Sequence, residues 1–135
     1  MFLSTIPYLL NFRFFAPLLL RVVIGGLFVF YGYQKLTTKR TPKRLFFESV
    51  GFRQGLFLAI ALGIIELVGG LLLVLGLLTQ PTALILAVIM AVAFIVKFKH
   101  PTTLEHERAL YFVLLIILIS LTLSGPGYYA FDLPL

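Results

Sequence analysis

A carboxylate stands in the middle of an apolar run. Glu66 lies within IALGIIELVGGLLLVLG, in a stretch from Gly55 to Leu78 that carries no other charge. In hydrocarbon a central charge costs roughly 2.5–3.5 kcal/mol on insertion scales, so Glu66 needs a partner or a proton. Arg21, in FFAPLLLRVVIGGLFVFYGY, is a second ionisable group inside a run of membrane length and is the expected partner. Together the two define a candidate intramembrane site.

The class follows from how little polar surface the chain could present. Its 135 residues are 61% hydrophobic and only 12% charged, with a mean hydropathy of +1.09, which excludes an ordinary soluble domain. The length suits one domain. Without cysteine there are no disulfides or thiolate metal sites, and no thiol redox chemistry. The net charge of +6 comes mostly from residues beside the first apolar segment, which points to anionic lipid headgroups and not to nucleic acid.

Crossing about 30 Å of hydrocarbon takes roughly 20 helical residues. Four segments qualify, at about 14–33, 55–78, 82–98 and 109–123, joined between the second and third by a tight Thr79-Gln80-Pro81 connection. The last two are slightly short, which snorkelling flanks or a thinned bilayer accommodate. Continuous apolar runs without alternation read as helices, because backbone groups in lipid must be satisfied within the segment. The expected fold is an all-α, four-helix membrane bundle forming a single domain over residues 1–135. The start, MFLSTIPYLLNFRFF, lacks a basic n-region and a small-residue cleavage site, so it reads as an amphipathic lead-in.

Lys35, Lys39, Arg40, Lys43, Arg44 and Arg53 fall between the first two segments, and Lys97, Lys99 and Arg108 between the last two; the opposite side has only Arg13. The positive-inside rule then places both loops in the cytoplasm and both termini outside. Tyr31 and Tyr33 would sit near one interface, Tyr128 and Tyr129 near the other. Phe46, Phe47, Val50 and Phe52 lay the first basic loop on the membrane surface.

Helical spacing sorts residues onto faces. Arg21, Gly25, Phe28, Gly32 and Lys35 recur at steps of three or four, as do Ala59, Gly63, Glu66, Gly70 and Leu73, with Gly69 and Gly76 beside the second stripe. Small residues let helices approach where lipid gives no hydrophobic drive for association. Ala83, Ala87 and Ala91 offer a weaker stripe on the third segment, and Ser120 and Ser124 one on the fourth. Counted from the segment ends, Arg21 and Glu66 differ in depth by about 8 Å, within reach of a long side chain. An intramembrane polar site of Arg21, Glu66 and Lys35 is therefore expected.

The order LLLRVVIGGLFVFYGYQKL, ESVGF, IIELVGGLLLVLGLLTQPTALILAVIMAVA and terminal GPGYYAFD resembles the DoxX family of small bacterial membrane proteins over nearly the whole chain. The resemblance implies a four-helix fold in the bacterial plasma (inner) membrane. It also implies relatives that are small subunits of thiosulfate:quinone oxidoreductase or sit in membrane oxidoreductase complexes. The family pattern falls on Arg21, Gly32, Lys35, Leu36, Glu66, Gly69, Gly70, Gly76, Gly125, Pro126, Gly127 and Asp132, none of which is a redox centre.

His100, His106, Glu105 and Glu107 read as a solvated loop and a helix start near Thr102 or Thr103, not as a metal site. Glu107 and Tyr111, one turn apart, are secondary polar candidates that could join Lys35 at the cytoplasmic mouth; Asp132 is a third, with Arg13 or Arg21 as its natural partner. Gly125-Pro126-Gly127 ends the last helix. Three function classes fit. One is an accessory, more than catalytic, subunit of a membrane oxidoreductase, with no cofactor bound by this chain and a quinone drawn from the membrane pool. The others are a small proton-linked transporter, which would need self-association, and a membrane scaffold or stress protein.

Overall fold

The computed structural model describes residues 12, 15–37, 40–101, 107–127 and 130–132. Arg13, Lys39, Glu105, His106, Tyr128, Tyr129 and residues 1–11 and 14 of the N-terminal lead-in lie outside the described residues, as do Thr102 and Thr103. The chain forms α1 (Phe15–Leu36), α2 (Arg40–Ser49), α3 (Gly55–Leu75), α4 (Thr79–Lys99) and α5 (Arg108–Ser124), with no strand among the described residues. Helices α1, α3 and α4 are long and apolar enough to cross a membrane; α5, with 17 residues, is a shorter apolar helix. Lipid gives a backbone no other partner, so four apolar helices side by side form a multi-pass membrane bundle.

Two elements differ from the sequence expectation. The first basic loop contains a helix, α2, whose Arg44 Nε donates to Glu48 Oε1 at 2.8 Å, one turn on. Thr79-Gln80-Pro81 is not the connection but the first turn of α4. Proline is tolerated there because the first N–H groups of a helix have no intrahelical acceptor. The connection is Gly76-Leu77-Leu78. Gly76 takes φ 71°, Leu77 N donates to Leu72 O and Gly76 N to Leu73 O, the paired bonds of a Schellman cap.

The bundle is two pairs. Helix α1 packs most extensively on α3, and α4 on α5, while contact between the pairs is sparse. Close approach of α1 and α3 depends on glycine. A Cβ on Gly25 would lie 2.6 Å from Gly70 O, and one on Gly32 would lie 2.6 Å from Gly63 O. These contacts are backbone to backbone, so the helices run antiparallel in one register. Gly69 lies on the other side of α3 against Leu86 of α4. Between the pairs Phe28, Leu73, Leu86, Leu118 and Leu121 are fully buried and fill the seam by dispersion contact. Ser120 and Ser124 do not contribute a packing face: both are exposed, and α5 buries Tyr111, Leu114, Leu118 and Leu121 instead. Sparse contact between the pairs leaves a gap that large side chains must fill.

Candidate functional site

Glu66 is paired with Lys35. Lys35 Nζ donates to Glu66 Oε1 at 2.5 Å, and Glu66 is only 1% exposed. The expected Arg21–Glu66 pairing is not what the register produces. With Gly25 opposite Gly70 and Gly32 opposite Gly63, Glu66 stands level with Val29. Lys35 is then six residues, about 9 Å, toward one end, and Arg21 eight residues, about 12 Å, toward the other. Side chains lean toward the N-terminus of their own helix. On α1 this brings Lys35 back toward Glu66 and takes Arg21 away; on the antiparallel α3 it leans Glu66 toward Lys35. Depth counted from segment ends could not register these directions.

The pair borders a cavity of about 240 Å³ at the end of the bundle that carries the basic loops. Here the filled seam gives out: Met90, Tyr111 and Leu114 belong to the core and also line the cavity. Tyr31, Gln34, Lys35, Glu66 and Tyr111 supply the polar groups, and Leu62, Ile89, Phe46 and Phe47 are among the apolar ones. Val88 and Val92, 57% and 55% exposed on α4, line it too, so the cavity reaches the lipid-facing surface. Tyr111 thus joins Lys35 at this mouth, whereas Glu107 is an exposed N-cap residue of α5 that makes no side-chain cap bond. The sequence does not mark Tyr31, Gln34 or the α2 phenylalanines as site residues. Their only sequence signal was proximity to Lys35 and the aromatic content of the basic loop.

Arg21 belongs to the opposite end. It is fully buried, and its guanidinium packs directly beneath Gly76, leaving no room there for a Cβ. Gly125 and Gly127, at φ 76° and 79°, turn the chain back after α5, with Gly127 against Pro17 of α1. Pro126 lies between them. This return carries Asp132 over the α3–α4 connection, where its N donates to Gly76 O at 2.9 Å. Its carboxylate accepts from Leu78 N at 2.7 Å and Thr79 N at 2.6 Å, capping α4. Leu78 itself is held at φ 48°, a left-handed conformation unusual for leucine. Burial raises the Asp132 pKa, but the bonds from Thr79 and Leu78 and the charge of Arg21 outweigh it, leaving the carboxyl below its ordinary value.

Among the described residues no group of three or more His, Asp or Glu side chains could hold a metal ion. His100 follows the last turn of α4, exposed. The cavity sets the Lys35 cation, its paired carboxylate and two phenol side chains in a mainly apolar wall.

The sequence is 34% identical over 118 residues to "Putative oxidoreductase CatD" of Bacillus subtilis (strain 168), a match covering 87% of this chain and 84% of that protein. No solved structure matches. The DoxX family pattern matches residues 16–99, which take in α1 to α4 and with them Arg21, Lys35 and Glu66; the chain belongs to the DoxX family.

Proposed function

We propose that this chain is a membrane-embedded, accessory component of an oxidoreductase system that meets the quinone pool at the Lys35–Glu66 cavity. The observation that carries the reading is a buried ion pair in the wall of a cavity open toward lipid. Intramembrane ionisable groups are costly and mark candidate functional positions, and this pair stands beside a cavity instead of being sealed among packed side chains. The B. subtilis relative is named an oxidoreductase, which supports the redox part of this reading. The residues fit a quinone in kind. About 240 Å³ is small beside the roughly 300–1,000 Å³ of pockets for drug-sized ligands, so it holds a single-ring head and leaves a tail to the bilayer. Tyr31, Gln34, Lys35 and Tyr111 carry donors for its oxygens. A bound quinone would supply two-electron, two-proton chemistry; this chain's residues bind and orient it and exclude water.

The test is purification in mild detergent followed by identification of what remains attached, together with binding of a short-chain quinone couple. The expected result is a retained oxidoreductase subunit and saturable binding. Self-association alone, with no quinone binding, would defeat the reading in favour of a transporter or scaffold.

A further inference from the structure

The cavity opens on one side and is walled on another. On α4, Leu86 meets Gly69 of α3 and Phe94 meets Phe112 of α5. At about 100° per residue, the cavity-lining Ile89, Val92 and Val96 fall nearer Leu86 than Phe94, on the flank toward α3, where contact is sparse. Val92 is 55% exposed there, so the opening faces lipid along the α3–α4 gap. Ile89 stands ten residues before Lys99, about 15 Å, which is half the hydrocarbon depth.

Toward the water at the basic end the wall is α2. Its Phe46 and Phe47, half-buried, line the cavity, while Arg44 and Glu48 pair on the exposed side. Phe52 N donates to Phe47 O at 3.0 Å and the two rings meet edge to face at 6.3 Å, which fixes Phe47. The helix docks mainly on α3, and its seat is Gly55, the buried first residue of α3. A Cβ there would lie 2.5 Å from Arg44 O and 2.9 Å from Glu48 Cγ, so it is the missing side chain that lets α2 lie this close.

We infer that α2 is the water-side wall of the cavity, positioned through Gly55, and that the cavity exchanges its contents with the bilayer through the α3–α4 gap. Its ligands are then amphiphiles dissolved in lipid, and Phe46 and Phe47 keep water from the Lys35–Glu66 pair. This route serves any occupant, quinone or not.

The chain has no tryptophan, so one introduced indole reports its surroundings. Ile89→Trp places it in the cavity wall; Leu84→Trp places it on the exposed face of α4, away from the cavity. The intact protein in vesicles is quenched from lipid by phosphatidylcholine brominated in mid-chain, and from water by acrylamide. Both indoles should be quenched strongly by the brominated lipid and weakly by acrylamide. Adding Gly55→Ala, which pushes α2 off its seat, should raise acrylamide quenching of Ile89→Trp several-fold and leave Leu84→Trp unchanged. Phe46→Ala/Phe47→Ala, which trims the wall without touching that seat, should do the same, and it decides the matter if Gly55→Ala exposes both indoles by opening the whole bundle. Strong acrylamide quenching of Ile89→Trp alone overturns the closure, and weak quenching of it by the brominated lipid overturns the lipid route. An unchanged signal in Gly55→Ala overturns the positioning role of Gly55, and in the phenylalanine variant the role of α2 as wall. Quinone binding is read in none of these measurements, so their failure leaves that reading standing.

Discussion

The two ends of this bundle use charge in opposite ways. At one end Arg21 is fully buried, and Asp132, half-buried, is tied to the backbone. The carboxylate caps α4, the chain returning from α5 hydrogen-bonds Gly76, and the guanidinium fills the space under that glycine. At the other end Lys35 and Glu66 hold each other at 2.5 Å beside a cavity. A charge wrapped in backbone is committed to the fold, while a charge beside open space can still interact with something else. On the proposed reading, function belongs to the basic end and assembly to the capped end.

The largest effect that could break this comparison is charge removal. Lys35→Met or Glu66→Gln alone leaves one ion buried without its partner, which should cost about 3–5 kcal/mol, and changing both should restore most of that loss. Pairing Arg21→Met with Glu66→Gln should instead give a loss equal to the sum of the singles, because the register keeps those side chains apart. Thermal midpoints in detergent for the two double-mutant cycles decide it. Coupling between Arg21 and Glu66 would show that the ends are not separate.

How much of this was legible in the sequence depends on what each feature rests on. The stripe Arg21-Gly25-Phe28-Gly32-Lys35 was readable because helical period and small residues carry it; its first four members are buried on α1 and Lys35 is half-buried. The stripe on α3 was readable for the same reason: Ala59, Gly63, Glu66, Gly70 and Leu73 are all buried. The partner of Glu66 was not readable, since it depends on a register set by two backbone contacts and on the lean of side chains along antiparallel helices. The Thr79 start was hidden by Pro81, which usually marks a connection and here occupies a first turn. The cavity was invisible for a further reason. It exists where α4 and α5 stand off from α1 and α3, and sparse packing between pairs leaves no periodic mark.

Glycine substitutions sharpen the comparison at intermediate size. Gly76→Ala places a side chain at φ 71° and drives its Cβ onto Arg21 and to 2.8 Å from Ala130 Cβ. Left-handed strain of about 1–2 kcal/mol and overpacking of about 1–3 kcal/mol should together give a loss near 2–4 kcal/mol. Gly63→Ala, near the basic end, meets the side chain of Leu36 at 3.0 Å, which can turn aside, and Gly32 O at 3.3 Å, which calls for a shift of a few tenths of an ångström; without left-handed strain it should cost less than Gly76→Ala. Gly26→Ala, with nothing within 4 Å, should be neutral or slightly stabilising. Denaturation of the three variants under one condition orders them, and an equal cost at Gly63 and Gly76 would remove the distinction between a rigid and a yielding end.

The smallest effect is a pH dependence confined to the capped end. Asp132 has its pKa held below the ordinary 3.8, so the folded protein binds a proton there less readily than the unfolded chain does. Stability from this group is therefore fully present above the unfolded value and is lost as pH falls through the lower folded one. Asp132→Asn keeps an acceptor for Leu78 N or Thr79 N but has no charge to lose, and should cost about 1 kcal/mol near neutrality. Between pH 7 and pH 5 the thermal midpoints of the two proteins should run parallel; below about pH 4 they should converge, because protonated aspartic acid and asparagine are alike toward Arg21. The difference between the curves isolates Asp132 from other carboxylates, Glu66 included, since those titrate in both proteins. Curves that stay parallel to pH 3 would mean that the bonds from α4 and the charge of Arg21 do not hold this carboxylate, and the capped end would lose its claim to be closed by charge.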